Sequence, residues 1–549
     1  MARPRVDGPR CSRHRTAVCA WAAGSALPVP VPVLVLVLVL VLILIVSFSL
    51  TSCASSVVDP QLPVIDDQYR VFYEIYVASF YDANGDGKGD LAGIFEKLDY
   101  LRDPQSAQSL QVGGLWLMPV MPSPSYHKYD VTDYYQIDPI YGTLEDFKAL
   151  AAACGERGVA LIIDLPINHT SHLHPWFLAA CRGDAPYVDF YNFRDSFASG
   201  YHQVPGSKLF YEGHFGSHMP DLNLANEAVR QEILKICRFW LDNGVQGFRL
   251  DAVAWFFNAN TTANSQFLSW LQQELRKHSP DVYLVGEAWS DATTIVDLYQ
   301  SGLPSFFNFP FSQSTGTLIS SVRAGKGDQL AKALERWYAQ LPSGAIDAPF
   351  LTNHDQARSA SALMNNPILQ KQAAAVYLLL PGNPFIYYGE EIGMKGGSGK
   401  DENKRTPLYW SLTDDTGMCD PPPGADDIRP VDAGIAEQLK DRGSLLRFYI
   451  ATIGVKNRHP ELARGEFALV DSGISSVCAY TVTYEGRTLM VAHNLGEELV
   501  EMAIADAELV DFLAAGGTAP RYQKGILALP GYTTVVILVP GTKLTDKTP

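Results

Sequence analysis

The 549-residue chain is short of paired cysteines, of basic charge and of apolar runs long enough to cross a membrane, and each shortage narrows what it can be. Of its eight cysteines, Cys11 and Cys19 fall in an arginine-bearing N-terminal stretch and Cys53 follows close behind. The other five, Cys154, Cys181, Cys237, Cys419 and Cys478, are odd in number and widely spaced, with no CxxC, so neither a disulfide framework nor a zinc site is indicated. Lys and Arg number 43 against 59 Asp and Glu, a net charge of −16. Nucleic acid and anionic membrane surfaces both require basic patches, so neither is an expected partner. The remaining composition, 47% hydrophobic, 11% aromatic and 19% charged, is that of a folded globular protein, and the length suggests two or three domains.

The longest apolar run, Val33–Val46, falls short of the roughly 20 residues a membrane span needs. Preceded by Arg3, Arg5, Arg10, Arg13 and Arg15, it has the layout of a secretory signal. Leu50-Thr51-Ser52-Cys53 resembles the lipobox of bacterial lipoproteins, which implies removal of residues 1–52, lipidation of Cys53 and export to a lipid anchor on the bacterial cell envelope. An uncleaved anchor helix is the alternative, because 27–50 approaches spanning length; either reading exports the protein. Loss of 1–52 removes five arginines and one aspartate and takes the charge to −20.

From residue 70 short β-rich runs alternate with amphipathic stretches. The runs are VFYEIYV (71–77), GLWLM (114–118), VALIIDL (159–165), GFRL (247–250), VYLVG (282–286), PFLT (349–352) and PFIYY (384–388), with an eighth inferred near 304–308. Helical patterns cover 144–156, 226–242, 264–278, 328–341 and 368–380. Repeated strand-then-helix with buried-looking strands predicts a parallel sheet, here closed as an α/β (β/α)₈ TIM barrel over 68–169 and 224–455. The long connection 170–223 reads as a small domain inserted after strand three, because it is too long for a simple loop. Beyond about 455, SSVCAYTVTY, RTLMVAHNL and TTVVILV predict a C-terminal antiparallel β-sandwich over 456–549, and 53–67 reads as a linker.

Catalytic groups of such barrels stand at the C-terminal ends of strands. The polar residues that end the apolar runs are Asp164, Asn168 and His169, then Arg249 and Asp251, then Glu287, then Asn353, His354 and Asp355. Carboxylates facing one another across a cleft are what glycoside hydrolysis requires. Arg249 lies two residues before Asp251 on the same face of a strand, so it can pair with that carboxylate and keep it ionised. Glu287, beside Trp289, can be desolvated and so serve as an acid.

DLPINH, GFRLDAVAW, GEAW and FLTNHD resemble, in order and spacing, the four signature regions of the α-amylase family of retaining glycoside hydrolases, and MPDLN (219–223) resembles its fifth. The resemblance runs from about residue 68 to the C-terminus. It implies Asp251 as nucleophile, Glu287 as general acid/base and Asp355 as transition-state stabiliser. It also implies that Arg249, His169 and His354 contact the sugar, that Tyr129 stacks on it with Asp130 following, and that Asp401 and Arg405 of DENKRTPLYW meet it near the cleavage point. Ala252 and MPDLN look like the α-1,4-acting members, so the expected activity is hydrolysis of starch, glycogen or maltooligosaccharides by a monomer. An exo-acting α-glucosidase, oligo-1,6-glucosidase or transglucosylase is the alternative. A non-catalytic glycan-binding or transporter-associated relative should lack one of the three carboxylates, and none is missing.

The stretch DANGDGKGD (82–90) sets Asp82, Asn84, Asp86 and Asp90 at alternate positions among glycines, a pattern suited to a hard cation. A calcium-sensor loop would have a bidentate Glu at its twelfth position and a helix before it; here Gly93 holds that position and a strand precedes it. The stretch resembles the structural calcium loop of several family members, which implies Ca²⁺ held by Asp82, Asn84, Asp86, Asp90 and the Lys88 carbonyl. A second calcium, between barrel and inserted domain, is in doubt, because Ala254 and Trp255 stand where many α-amylases have Lys and His.

Overall fold

The computed structural model describes residues 68–539; the leader, Cys53 and the last ten residues lie outside the described residues. Eight short strands form the barrel: β1 (Phe72–Ile75), β2 (Gly114–Leu117), β3 (Ala160–Leu165), β4 (Gly247–Leu250), β5 (Tyr283–Gly286), β6 (Ser305–Phe307), β7 (Ile346–Ala348) and β8 (Phe385–Tyr387). They lie in one parallel sheet in the order β7-β6-β5-β4-β3-β2-β1-β8. The ring closes through a parallel bridge between Phe350, just past β7, and Phe385. Every strand position is buried, because helices cover the outside and side chains fill the inside.

Seven strands fall within the runs expected of them, the inferred one near 304–308 included. The seventh in order does not: it is Ile346–Ala348, ahead of PFLT. Pro349 has no N–H for a ladder, and Phe350 makes a single bridge. The strand itself is masked in the sequence by Asp347, whose Oδ2 accepts from Asn308 Nδ2 (3.0 Å) and Tyr338 OH (3.1 Å) in the interior.

Several crossover helices start at side-chain caps, which satisfy N–H groups that have no partner within the helix. Thr143 and Asp146 form a reciprocal pair ahead of Leu144–Glu156, Asn226 caps Glu227–Asp242 and Asn260 caps Thr261–His278. Inside the barrel, Phe72 stacks on Phe385 (4.7 Å between ring centres), and Phe307 meets both Phe385 (4.8 Å) and Trp116 (5.4 Å). This aromatic plug is the floor on which the polar rim residues stand.

The segment after β3 folds as the helix Pro175–Cys181 and a three-stranded sheet with Phe210–Glu212 at its centre. The bridge His169–Asp221 ties it to the barrel mouth, and the bridge Tyr191–Leu222 closes the insert on itself. Helical structure continues past 455, through Leu445–Arg458 and Pro460–Arg464, and the first C-terminal strand is Glu466–Leu469. Pro460 interrupts the pattern and then restarts it as the first residue of a new helix. A five-stranded and a three-stranded antiparallel sheet follow, with Ala479, Met490, Leu527 and Ile537 among the side chains buried in their shared core. The five cysteines of the described residues are all free thiols. No helix among the described residues is long and apolar enough to cross a membrane.

Candidate active site

Arg249, on β4, is wholly buried, with its guanidinium carbon 5.2 Å from the centre of the Trp116 ring. Its Nη1 donates to Asp164 Oδ1 (2.8 Å) and Asp251 Oδ1 (2.5 Å), and its Nη2 lies 3.7 Å from Glu287 Oε2. One guanidinium therefore gathers carboxylates from the ends of three adjacent strands. Removing it would leave several buried charges facing one another without compensation.

Asp251 and Glu287 are linked a second way. Ala252 N donates to Glu287 Oε2 (2.8 Å), and Ala252 takes φ 51, the left-handed region that a residue with a Cβ seldom occupies. The turn after β4 thus carries strain at the point where its N–H is aimed at a carboxylate. On the far side of the rim, Asp355 Oδ1 accepts from Arg405 Nη2 (2.8 Å), and Asp355 Oδ2 lies 3.1 Å from His354 Nε2. Arg405 also pairs with Asp401, and Tyr126 OH donates to Asp401 Oδ2 (2.5 Å) while accepting from Arg405 Nη1 (2.8 Å).

These surroundings separate two of the carboxylates. Burial raises Glu287 to about 7, with Arg249 opposing and the charges of Asp251 and Asp355 adding. Burial would raise Asp355 too, but His354 and Arg405 overcome it and hold that group well below the usual carboxylate range. At neutral pH one group can keep a proton while the other is charged, the division that acid-assisted bond cleavage requires.

A cleft of about 410 Å³ opens above them, lined by Tyr129, His169, Asp251, Glu287, Asp355, Asp401 and Arg405 together with Phe215, Met219, Trp255 and Trp289. His169 Nε2 is buried with no protein partner, an atom free to meet a ligand hydroxyl. Trp255 and Trp289 are 41% and 46% exposed at the mouth, and Trp289 is braced face to face against Phe309 at 5.2 Å.

Three of the expected sugar contacts stand elsewhere. Arg249 and His354 are wholly buried, and both ring nitrogens of His354 are engaged by protein groups; these side chains reach the cleft only through the carboxylates and the tyrosine they hold. Asp130 is 2% exposed and lies outside the lining, because the Ser123 and Ser125 hydroxyls both donate to its Oδ1. Glu74, Tyr126 and the pairing of Asp164 with Arg249 and Tyr129 were not anticipated. The signal that could have found Glu74 is a lone carboxylate inside the apolar run VFYEIYV.

The barrel, the inserted domain and three strand-end carboxylates around a glucan-sized cleft define a glycosidase of the TIM-barrel type. Residues 74–465 match the family of the α-amylase catalytic domain and residues 477–536 the α-amylase SusG C-terminal domain, and the chain belongs to the α-amylase family of glycoside hydrolases. It is 37% identical to alpha-amylase 3 of Dictyoglomus thermophilum, over 86% of this chain and 93% of that protein. It is 30% identical to an oligo-1,6-glucosidase of Heyndrickxia coagulans, over 78% of this chain and 92% of that one. Among solved structures, Amy13B of Eubacterium rectale superposes with a TM-score of 0.83 at 40% identity, covering 87% of this chain and 97% of its own.

The 82–90 loop follows β1 as a run of turns. Asp82 accepts from Gly85 N and Gly87 N (both 2.7 Å), Asn84 from Asp86 N (2.9 Å) and Asp86 from Lys88 N (2.8 Å). Asp90 caps the following helix through Oδ1, which accepts from Gly93 N (2.6 Å). Gly93 is needed there, since a Cβ would sit 2.1 Å from Tyr81 O. Asp90 Oδ2 is buried with no partner, and burial raises this carboxyl. Asp82, Asn84 and Asp86 of the same loop offer further oxygens, so the donor chemistry is of the hard type that calcium takes, although backbone N–H groups engage those three side chains in this structure.

At the junction of insert and barrel, Asp221 accepts from Asn168 Nδ2 (3.2 Å), His214 N (3.1 Å) and lies 2.9 Å from His214 Nδ1. Asn192 and Asn258 donate to the two oxygens of Glu212 (2.7 Å each). N–H donors engage these acidic groups, and Glu212, His214 and Asp221 bring one ligand atom each within 4.8 Å of one another, a grouping that could hold a metal ion where the second calcium was in doubt.

Proposed function

We propose that this enzyme hydrolyses α-1,4-glucosidic bonds of starch, glycogen or maltooligosaccharides with retention of configuration. Asp251 attacks the anomeric carbon while Glu287 passes its proton to the departing glycosidic oxygen; the C–O bond breaks and a glycosyl ester of Asp251 forms. Glu287, now ionised, takes a proton from water, whose oxygen attacks the same carbon and releases Asp251. Asp355 remains an anion beside the positive charge that develops on the sugar. The observation that carries this reading is the pairing of a Glu287 raised to about 7 with an Asp355 held far below it, both touching one cleft.

The α-1,4 preference rests on Ala252 and Met219, and on the higher identity to an α-amylase than to an oligo-1,6-glucosidase. The aspartate loop is proposed to hold one structural calcium that keeps the β1 side of the rim in shape. Export by the 1–52 leader and lipidation at Cys53 are likewise proposed; radiolabelled fatty acid should enter the wild-type protein and not Cys53→Ala.

An exo-acting α-glucosidase, oligo-1,6-glucosidase or transglucosylase is the second reading, favoured by the clasp of Tyr126, Asp401 and Arg405, the last two of which line the cleft. Products from maltoheptaose over time decide between them: mixed short oligomers from the start for endo attack, glucose first for exo attack. Cleavage of isomaltose with none of starch would overturn the α-1,4 assignment.

A further inference from the structure

His354 is enclosed on every side by groups whose hydrogen bonding can be assigned. Glu74 of β1 lies against Nδ1 at 2.5 Å. Against Nε2 lie Asp355 Oδ2 at 3.1 Å and the Tyr129 hydroxyl at 2.7 Å. That hydroxyl already donates its one proton to Asp164 Oδ2 (2.8 Å), so toward His354 its oxygen can only accept. Nε2 therefore carries hydrogen. On the other side, a single carboxylate oxygen faces Nδ1, and one proton lies between the two atoms.

We propose that Glu74 is a positioning residue of the glycosidase reaction, whose negative charge keeps His354 a cation clamped between Glu74 and Asp355. Glu74 is 1% exposed and lies outside the lining of the cleft; it acts two groups away from the sugar, by fixing the orientation and charge of the imidazole that holds Asp355 and Tyr129. The ring is stacked on Tyr129 (5.5 Å, 18°) and meets the Trp116 edge at 5.6 Å, so it has no room to turn and find other partners. Arg249 and Asp164 are the remaining charged groups close by, and they are bound to each other. Burial alone would lower the proton affinity of His354; Asp355 and Glu74 together reverse that and raise it to about 9. An imidazole that lost its charge would leave Arg405 as the one cation paired with Asp355.

Glu74→Gln separates charge from shape. The amide can donate to Nδ1 of a neutral imidazole, which keeps Nε2–H and the ring orientation. The proposal depends on the family chemistry and not on which glucan is cleaved, so any substrate that the wild type turns over serves for the assay. We expect kcat/KM of Glu74→Gln to stay within about threefold of wild type near pH 5.5 and to fall by more than about tenfold relative to it near pH 8, because a neutral neighbour lets the imidazole deprotonate earlier. Glu74→Asp keeps the charge, so its pH profile should be parallel to that of wild type, whatever uniform loss it shows. A loss in Glu74→Gln that is equal at every pH, or no loss at all, would overturn the proposal and leave Glu74 a packing residue. Should Glu74→Gln fail to fold, nitrogen-15 spectra of wild-type His354 test the idea directly: an imidazole that is neutral at about pH 7.5 overturns it, and one with both nitrogens protonated supports it. Failure to cleave starch would count against the α-1,4 reading and leave both of these readouts intact.

Discussion

Ala252 N donates to Glu287 Oε2 at 2.8 Å, so the residue after the proposed nucleophile grips the proposed acid by its backbone. The grip depends on φ 51 at Ala252. A β-branched side chain is a steric outlier there, whereas glycine is at ease. Ala252→Val should destabilise the fold by about 1–3 kcal/mol and lower kcat by roughly an order of magnitude as the N–H turns away from Glu287. Ala252→Gly should keep the activity and the melting temperature. Thermal melts and initial rates on both variants check this; a Val variant as stable and active as wild type would show that the turn is not strained.

The raised Glu287 carboxyl sets the alkaline limb. As the proposed general acid it must be protonated in the free enzyme, and it loses that proton as pH rises through about 7; kcat/KM should therefore fall on the same side of the profile. Glu287→Gln should lower kcat by about 10² to 10⁴-fold and abolish that limb. Near-normal turnover in the variant would remove Glu287 from the mechanism.

The barrel was legible because its strands are buried on both faces and read as apolar runs, and the site because its carboxylates end those runs. What stayed hidden was polar chemistry inside apolar text. Asp347 disguised the seventh strand, and Glu74 sat within VFYEIYV as though it were one more strand residue. Asp130 misled in the opposite direction: it follows Tyr129 in sequence and looks available for sugar, but two serine hydroxyls from the same loop capture it. Spacing shows which residues share a loop; it does not show which of them another side chain has already claimed.

The aspartate loop predicts a metal-dependent melting temperature. Asp90 Oδ2 has no protein partner and is buried; the proposed calcium would stabilise the fold by an amount that grows with its concentration, about 2.7 kcal/mol at a hundred times its Kd. Chelation should lower the melting temperature, and calcium should restore it. Asp90→Ala should already melt low and respond to neither. Metal analysis of the purified protein is the control: no calcium bound and no change on chelation would leave a glycine-rich turn with a helix-capping aspartate.

Glu390 predicts how stability changes with pH. It follows β8 inside the protein, its Oε1 accepts from Tyr377 OH (2.7 Å) and Tyr449 OH (2.9 Å), and its Oε2 has no partner. Burial is the main cause of its rise from the ordinary 4.5 to about 7; the two tyrosines oppose the rise and Glu391 adds to it. A carboxyl whose folded value lies above its unfolded one stabilises the fold fully below the unfolded value. That contribution is lost as pH climbs from there through about 7, because the unfolded chain ionises first. Glu390→Gln replaces the neutral acid by a neutral amide of the same shape. The two proteins should be equally stable below about pH 4, and above about pH 7 the variant should gain up to about 3 kcal/mol over wild type, the free-energy equivalent of the shift. Urea unfolding across that range is the measurement, and parallel stability curves for the two proteins would show that folding does not shift the Glu390 carboxyl.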